Sequence, residues 1–258
     1  MDDLSLALAL ADAADAVSAT RFQAGDLVVE TKPDLTPVTD ADRAVEESIR
    51  ELLSRHRPAD AIHGEEFGTV AGDRQWIIDP IDGTKNFVRG VPVWATLIAL
   101  REGDVITTGV VSAPALGRRW WAGLGRGASC TAPAQAEVRH PLRVSKVSRL
   151  IDASFSYSDS LGWEPETLAS LVSSTWRQRA LGDFWSHLLV AEGAVDIAAE
   201  PLLKIHDVAA LVPIIEQAGG KITMFDGAPL PWGDPEAEFS TLTTNGLLHN
   251  SVVDLLRV

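Results

Sequence analysis

The stretch Trp76-Ile77-Ile78-Asp79-Pro80-Ile81-Asp82-Gly83-Thr84-Lys85-Asn86-Phe87 decides how the chain is read. Its apolar start is too short for a helix, and it delivers two carboxylates, Asp79 and Asp82, across a proline that stops a hydrogen-bonded ladder. Gly83-Thr84 then opens a predicted helix. Two close carboxylates repel each other in water, and a divalent cation between them is the plain reason to hold both on a stiff turn. The free N–H groups of a helix start suit an anion, and phosphate is the anion that bridges such a cation to backbone amides. An Asx-type turn between strand and helix is the alternative; it accounts for one aspartate but not for two followed by Gly-Thr.

With 258 residues, 46% of them hydrophobic, the chain has core enough for one large or two closely packed domains. The formal charge of −14 argues against nucleic acid or an anionic membrane as partner, and means that an anionic substrate is attracted by bound metal against the bulk field. Cys130 is the single cysteine, which excludes an intramolecular disulfide and suggests a reducing compartment. The N-terminal segment has no basic region, its apolar residues are interrupted by Asp12 and Asp15, and no window approaches the roughly 20 apolar residues of a membrane span. The expectation is a soluble, cytoplasmic protein.

Outward from the central stretch, Leu4, Leu8, Ala11, Ala14, Val17 and Phe22 predict an Ala-rich amphipathic helix over 4–22. Extended chain around 27–31 and a loop over 32–39, carrying Pro33 and Pro37, lead to a second helix running to about residue 56. Thr39 and Asp42 have the spacing of a capping box at its start. A short strand over 61–64 breaks into Glu65-Glu66, which cannot both face a core. Residues 93–100, 105–113 and 118–122 read as an antiparallel meander with one indole of Trp120-Trp121 on each face, and Gly123, Gly125 and Gly127 as a turn. Beyond 142 the pattern alternates: strands over 142–144, 153–157, 195–199, 221–225 and 241–245, helices over 167–173 and 183–192, and a helix entered at Asp207 and ending at Gly219-Gly220. This predicts an N-terminal α+β lobe over 1–140 and a C-terminal α/β lobe over 141–258, divided after the Pro- and Ala-rich segment 131–141.

Asp79-Pro80-Ile81-Asp82-Gly83-Thr84 with the following Asn86-Phe87 resembles the first signature of the inositol monophosphatase family of Mg²⁺-dependent phosphatases. Val38-Thr39 with Asp42, Gly64-Glu65-Glu66, and Asp207-Val208-Ala209-Ala210 match its other motifs, with His206 where the family carries Trp. The resemblance implies a layered α-β-α-β-α sandwich. It implies one Mg²⁺ on Glu65, Asp79 and the Ile81 carbonyl, another on Asp79, Asp82 and Asp207, and a third, weaker cation near Glu65. The oxygen-only inventory suits Mg²⁺ or Mn²⁺ over Zn²⁺. Asp42, Thr84 and Glu65 are then the catalytic residues, Thr84 and Asp42 orienting the attacking water, and the N–H groups of Gly83 and Thr84 hold phosphate. Residues 85–100, 114–123, 177–184 and 191–196 look most like the histidinol-phosphate phosphatase branch. Its substrate carries an amine and an imidazole, so Asp183 and Glu200, with Asp207, are candidates for the leaving-group pocket. For Asp183 a helix N-terminal acid and for Glu200 a solvated turn acid are equally open readings. Arg179 is a candidate for the phosphate or for ordering those acids, a surface role being equally open; His187 is read as filling a helix face, and His63 as a packed strand histidine. A homodimer is expected from the family. An inositol monophosphatase or a broad sugar- and nucleotide-phosphate phosphatase is the rival within this chemistry, and a non-catalytic metal-binding oligomer the rival outside it.

Overall fold

The computed structural model describes every residue except Asp34, Pro133, Ala134, Pro235, Glu236 and Val258. Asp34 falls in the expected loop and Pro133-Ala134 in the expected linker, so those parts of both expectations lie outside the described residues. Helix α1 (Asp3–Arg21) is followed by a small antiparallel pair, β1 (Val29–Thr31) and β2 (Pro37–Thr39), and by α2 (Asp40–His56). Strands β3 (Ala61–Gly64), β4 (Gly68–Thr69) and β5 (Arg74–Asp82) lead through the short helix α3 (Thr84–Arg89) into β6 (Ala95–Glu102), β7 (Val105–Ala113), β8 (Arg118–Gly123), β9 (Ala128–Ala132) and β10 (Gln135–Pro141). These form one sheet in the order β10-β9-β8-β7-β6-β5-β3-β4, antiparallel except where β3 runs parallel to β5. The remaining elements are β11 (Ser154–Tyr157), α4 (Pro165–Ser174), β12 (Arg177–Ala180), α5 (Asp183–Ala191), β13 (Ile197–Leu203), α6 (Ile205–Val208), α7 (Leu211–Gln217), β14 (Lys221–Thr223), β15 (Phe239–Thr244) and α8 (His249–Leu256). Their strands make a second sheet, β12-β11-β13-β15-β14.

Strand alternation builds the layers. Trp76, Ile78, Ile98, Val110 and Trp121 pack against Leu6, Leu10, Val45 and Ile49 of α1 and α2. Ile77, Leu97, Val111 and Trp120 face the other way, against Phe184, Leu188, Val208, Leu211 and Ile214 of α5, α6 and α7. The second sheet packs Ala198 against Val190 of α5, and its opposite face, with Phe155, Ile197 and Leu242, against Leu171 of α4 and Val252 of α8. The result is the α-β-α-β-α sandwich, with the indoles of Trp120 and Trp121 on opposite faces of the first sheet. Because β5 is covered on both sides, it reads as a continuous apolar run. Among the described residues no helix is long and apolar enough to cross a membrane.

Several elements differ from expectation. Helix α1 buries Leu6, Ala7, Leu10, Ala11 and Ala14, while Leu4, Leu8 and Val17 are only partly covered. A helix apolar around most of its circumference has no unique 3.6-residue stripe, and Ala7, Ala11 and Ala14 are fully buried. Residues 142–144 are not a strand; Leu142 N donates to Ala128 O and Val144 N to Ala218 O, outside any ladder. Much of the expected linker over 131–141 is instead paired as β9 and β10 at the sheet edge. The single helix expected to end at Gly219-Gly220 is broken into α6 and α7. Pro213 has no N–H for the carbonyl of Ala209 and its ring crowds it, which places the break at Ala209-Ala210.

At that break, the backbone of α6–α7 comes down on Gly109 of β7, where an added Cβ would stand 2.2 Å from Ala210 O. Backbone on both sides leaves nothing flexible to yield. Gly109→Ala should therefore destabilise the protein by about 1–3 kcal/mol or more, seen in urea unfolding as a lower midpoint at unchanged slope.

Candidate metal centre

β5 and β6 pair in regular register from Arg74↔Glu102 to Asp79↔Leu97, and then slip by one residue before Asp82↔Ala95. Without that extra residue Asp79 and Asp82, three apart, would project from opposite faces; the bulge returns both to the side facing α6. Pro80 suits the bulge because it has no ladder N–H to lose, and its carbonyl is held by Thr96 Oγ1 at 2.8 Å. Asp207, on α6, closes the group: one carboxylate oxygen from each of Asp79, Asp82 and Asp207 lies within 4.8 Å of the others. These three residues and Glu65 line one cavity of about 440 Å³.

The acids are held in different ways. Asp82 Oδ2 accepts from Phe184 N at 2.8 Å, and Asp207 Oδ2 from Lys204 N at 2.7 Å. Glu65 Oε1 takes Lys32 Nζ at 2.7 Å, and the same ammonium lies 2.6 Å from Glu66 Oε1. Asp79 is almost wholly buried, and its Oδ1 has no hydrogen-bond partner. Burial, then the charge of Glu65 and of the other acids, drives the Asp79 carboxyl well above the ordinary range; burial, Asp183 and Asp207 do the same to Asp82. Asp207 is raised by burial against the pull of His206. Burial opposes ionisation of Glu65 too, but His206 and Lys32 overcome it and hold its carboxyl below the usual value. An oxygen-only donor set around an unpartnered buried carboxylate oxygen fits a hard divalent cation.

Asp42 and Thr84 meet at the edge of this group. Thr84 Oγ1 donates to Ile81 O at 2.9 Å and lies 3.3 Å from Asp42 Oδ1. Asp42 Oδ2 accepts from Thr39 N (2.8 Å) and Thr39 Oγ1 (2.6 Å), completing the capping box of α2. Burial pushes its carboxyl up to about 6. Gly83 has φ +82°, and a Cβ there would meet Val93 O at 2.9 Å and Asp183 Oδ2 at 3.2 Å.

The same cavity is lined by Asp183, Glu200 and Ser158. Ser158 Oγ donates to Glu200 Oε1 at 2.7 Å and accepts from Asp183 N at 2.9 Å, and Asn86 Nδ2 donates to Asp183 Oδ2 at 3.0 Å. Burial raises Asp183 to about 6 and Glu200 to about 8. Arg179 stays outside the cavity: it is exposed, with Nη1 on Gln178 O. Gln178 turns to the α4 side to bond Val172 O and Thr175, so alternation along the edge strand β12 places Arg179 on the other face, where it is exposed at the sheet edge. His187 lines the cavity and is buried, Nδ1 2.8 Å from Thr243 Oγ1, with burial lowering it to about 4. His63 is buried as well, its Nε2 3.3 Å from His206 Nδ1. Lys32, Asn86 and Ser158 were missed as site residues. Asn86 alone carried a signal, lying three residues inside the helix that follows Asp82-Gly83.

The pattern defining the inositol monophosphatase family matches residues 2–256. The chain belongs to that family. It is 56% identical to the histidinol-phosphatase of Mycobacterium tuberculosis, over 99% of this chain and 98% of that protein, and 53% identical to the histidinol-phosphatase of Streptomyces coelicolor, over 99% and 97%. Among solved structures it superposes on the IMPase of Thermotoga maritima with a TM-score of 0.87 at 29% identity, covering 100% of this chain and 97% of that one. The inositol monophosphatase of Zymomonas mobilis gives 0.86, also at 29% identity, over 100% and 98%. Members of the family are metal-dependent, which agrees with the acidic cluster, and the chain is a phosphatase.

Because burial raises Glu200 to about 8, with Ser158 only partly offsetting it, its neutral form favours the fold. The contribution is complete below the unfolded value of about 4.3 and is lost as the pH rises through the folded value. Metal-free Glu200→Gln, which keeps an acceptor for Ser158, should show a Tm that draws ahead of the parent protein between pH 5 and pH 9, measured by scanning calorimetry in EDTA.

Proposed function

We propose that the protein is a Mg²⁺-dependent phosphomonoesterase whose substrate is L-histidinol phosphate. The observation that carries the reading is the cavity itself, which gathers Glu65, Asp79, Asp82 and Asp207 and adds to them two further buried acids, Asp183 and Glu200, bridged by Ser158. Acids at the leaving-group end suit a cationic amine, whose arrival would restore their ionisation. Relatives named histidinol-phosphatase, sharing more than half of their residues with this chain, support the same substrate.

In this reading Glu65, Asp79 and the Ile81 carbonyl hold one cation and Asp79, Asp82 and Asp207 another, with a third, weaker cation near Glu65. Mg²⁺ is the natural ion and Mn²⁺ a substitute. Once bound, the cations supply polarisation of the ester and a lowered pKa for the attacking water. Thr84 Oγ1 and Asp42 Oδ1, 3.3 Å apart, would orient that water, and the Asp42 carboxylate would take its proton. The N–H groups of Gly83 and Thr84 receive phosphate oxygens, and Glu200 and Asp183 grip the amine of the alcohol that leaves. Residues 1–140 and 141–258 act as two lobes that meet at the cavity, the first giving Glu65, Asp79 and Asp82 and the second Asp207, Asp183 and Glu200. We also infer a homodimer in the cytoplasm; the exposed indole of Trp176 beside edge strand β12 supports an interface, and sedimentation equilibrium tests it.

Two measurements test the function. Asp79→Asn should lower kcat/KM by about a hundredfold or more at saturating Mg²⁺, given that metal-assisted stabilisation contributes several kcal/mol; near-normal turnover would remove the shared-ligand arrangement. Parallel kcat/KM values for histidinol phosphate, inositol 1-phosphate and a 3′,5′-bisphosphonucleotide should rank histidinol phosphate first, with Glu200→Gln narrowing its lead. A higher value for either rival reassigns the substrate and leaves the chemistry standing.

A further inference from the structure

The turn that carries Glu65 is tied down by a carboxylate that the reaction does not use. Glu46, on α2 one turn beyond Asp42, is fully buried. Its Oε2 accepts from Glu66 N at 2.8 Å, and its Oε1 from Phe67 N at 3.3 Å and Arg50 Nε at 2.7 Å. Arg50 completes the clamp, with Nη2 donating to Gly68 O at 2.8 Å and the guanidinium 5.9 Å from the Phe67 ring centre. Gly64 makes the approach possible, since a Cβ there would stand 1.9 Å from Glu46 Oε1.

A buried carboxylate costs stability unless it is fully paired, and an apolar side chain could fill the same space more cheaply. What an apolar side chain could not do is receive two consecutive backbone N–H groups and a guanidinium at once. Such charge-assisted bonds are short and directional, and here they fix the backbone immediately after Glu65. On the residue's N-terminal side, Glu65 N reaches Ile78 O of β5 at 3.3 Å. The Glu65 backbone is thus held between the strand that bears Asp79 and the helix that bears Asp42.

We propose that Glu46, together with Arg50, is a positioning residue for Glu65, setting the 65–67 turn so that the Glu65 carboxylate is presented to its cation. The proposal rests on the reading of Glu65 as a cation ligand. A glutamine at 46 keeps the volume but has one acceptor oxygen, and turns an NH₂ toward donors.

The experiment is Mn²⁺ binding to the full-length, metal-free protein, followed by the electron paramagnetic resonance signal of free Mn²⁺, with Tm in EDTA recorded beside it. Glu65→Gln identifies which binding step uses Glu65. Glu46→Gln should weaken that same step about tenfold, the usual scale for a group that orients a metal ligand, and leave the other step unchanged. The double variant Glu46→Gln/Glu65→Gln should bind no more weakly than Glu65→Gln alone, because one residue acts through the other. Arg50→Met, which leaves Glu46 in place, should shift the same step in the same direction by less, and serves if Glu46→Gln does not fold. A lowered Tm with both steps unchanged or equally weakened, or an effect that adds to that of Glu65→Gln, overturns the proposal. If Glu65→Gln leaves both steps intact, the ligand reading itself fails.

Discussion

Repulsion among carboxylates confined in one buried place is the constraint that the surrounding structure answers. Asp79, Asp82 and Asp207 cannot separate: the first two are fixed by the bulge in β5 and the third by the docking of α6, and at such range like charges interact strongly. The fold relieves part of the strain with single donors from different layers. Phe184 N at the start of α5 serves Asp82, Lys204 N serves Asp207, and Lys32 serves Glu65. Asp79 stands apart in this scheme, with one oxygen left bare in the interior. Neutral backbone N–H donors and the Lys32 ammonium shared with Glu66 leave the group with uncompensated negative charge, which is the condition for a site that takes up a cation.

The same accounting explains how a chain of formal charge −14 can handle an anionic ester. Its field is unfavourable at long range and screened within roughly a Debye length of 8–10 Å, so what counts is the sign at the cavity. Glu65 is ion-paired with Lys32 at 2.7 Å, and the effect is mutual. Although burial disfavours it, the charge on Lys32 is upheld by Glu65 and Glu66. Elsewhere in the cavity, burial and neighbouring acids push Asp183 and Glu200 toward their neutral forms. A protonated amine on the substrate would restore the charge on Asp183 and Glu200, while its phosphate would be received through cations held by Glu65, Asp79, Asp82 and Asp207.

The parts of this that the sequence disclosed are those written in local pattern. Polar residues breaking an apolar strand exposed Asp79 and Asp82; adjacent tryptophans in a meander forecast one indole per face; Thr39 and Asp42 announced the start of α2. What stayed hidden depends on packing between distant segments. Lys32 in a proline-bearing loop has no feature that points to Glu65, and Ser158 none that points to Glu200. Glu46 looks like any helix-surface glutamate until the 65–68 turn is folded over it. Arg179 stayed open between pocket and surface because its neighbours matched a pattern, and the bonds of Gln178 on the α4 side tell which face of β12 it occupies. Residues 131–141 were read as the segment before a lobe boundary because alanine and proline are loop-like in isolation, whereas a sheet edge supplies the partners that make much of it strand.

Asp42 shows why a structural and a chemical reading need not compete. As a capping residue it requires one oxygen near the backbone N–H of Thr39, and Oδ2 takes that N–H together with the Thr39 hydroxyl. Its other oxygen is left facing Thr84 Oγ1, whose own proton goes to Ile81 O. The bonds that begin α2 therefore also aim Oδ1, and they do so before any ligand arrives. A carboxylate on a free side chain would have to give up rotamer freedom to orient a water. Here that cost is already met in folding, because the helix cannot start without fixing the same torsion angles.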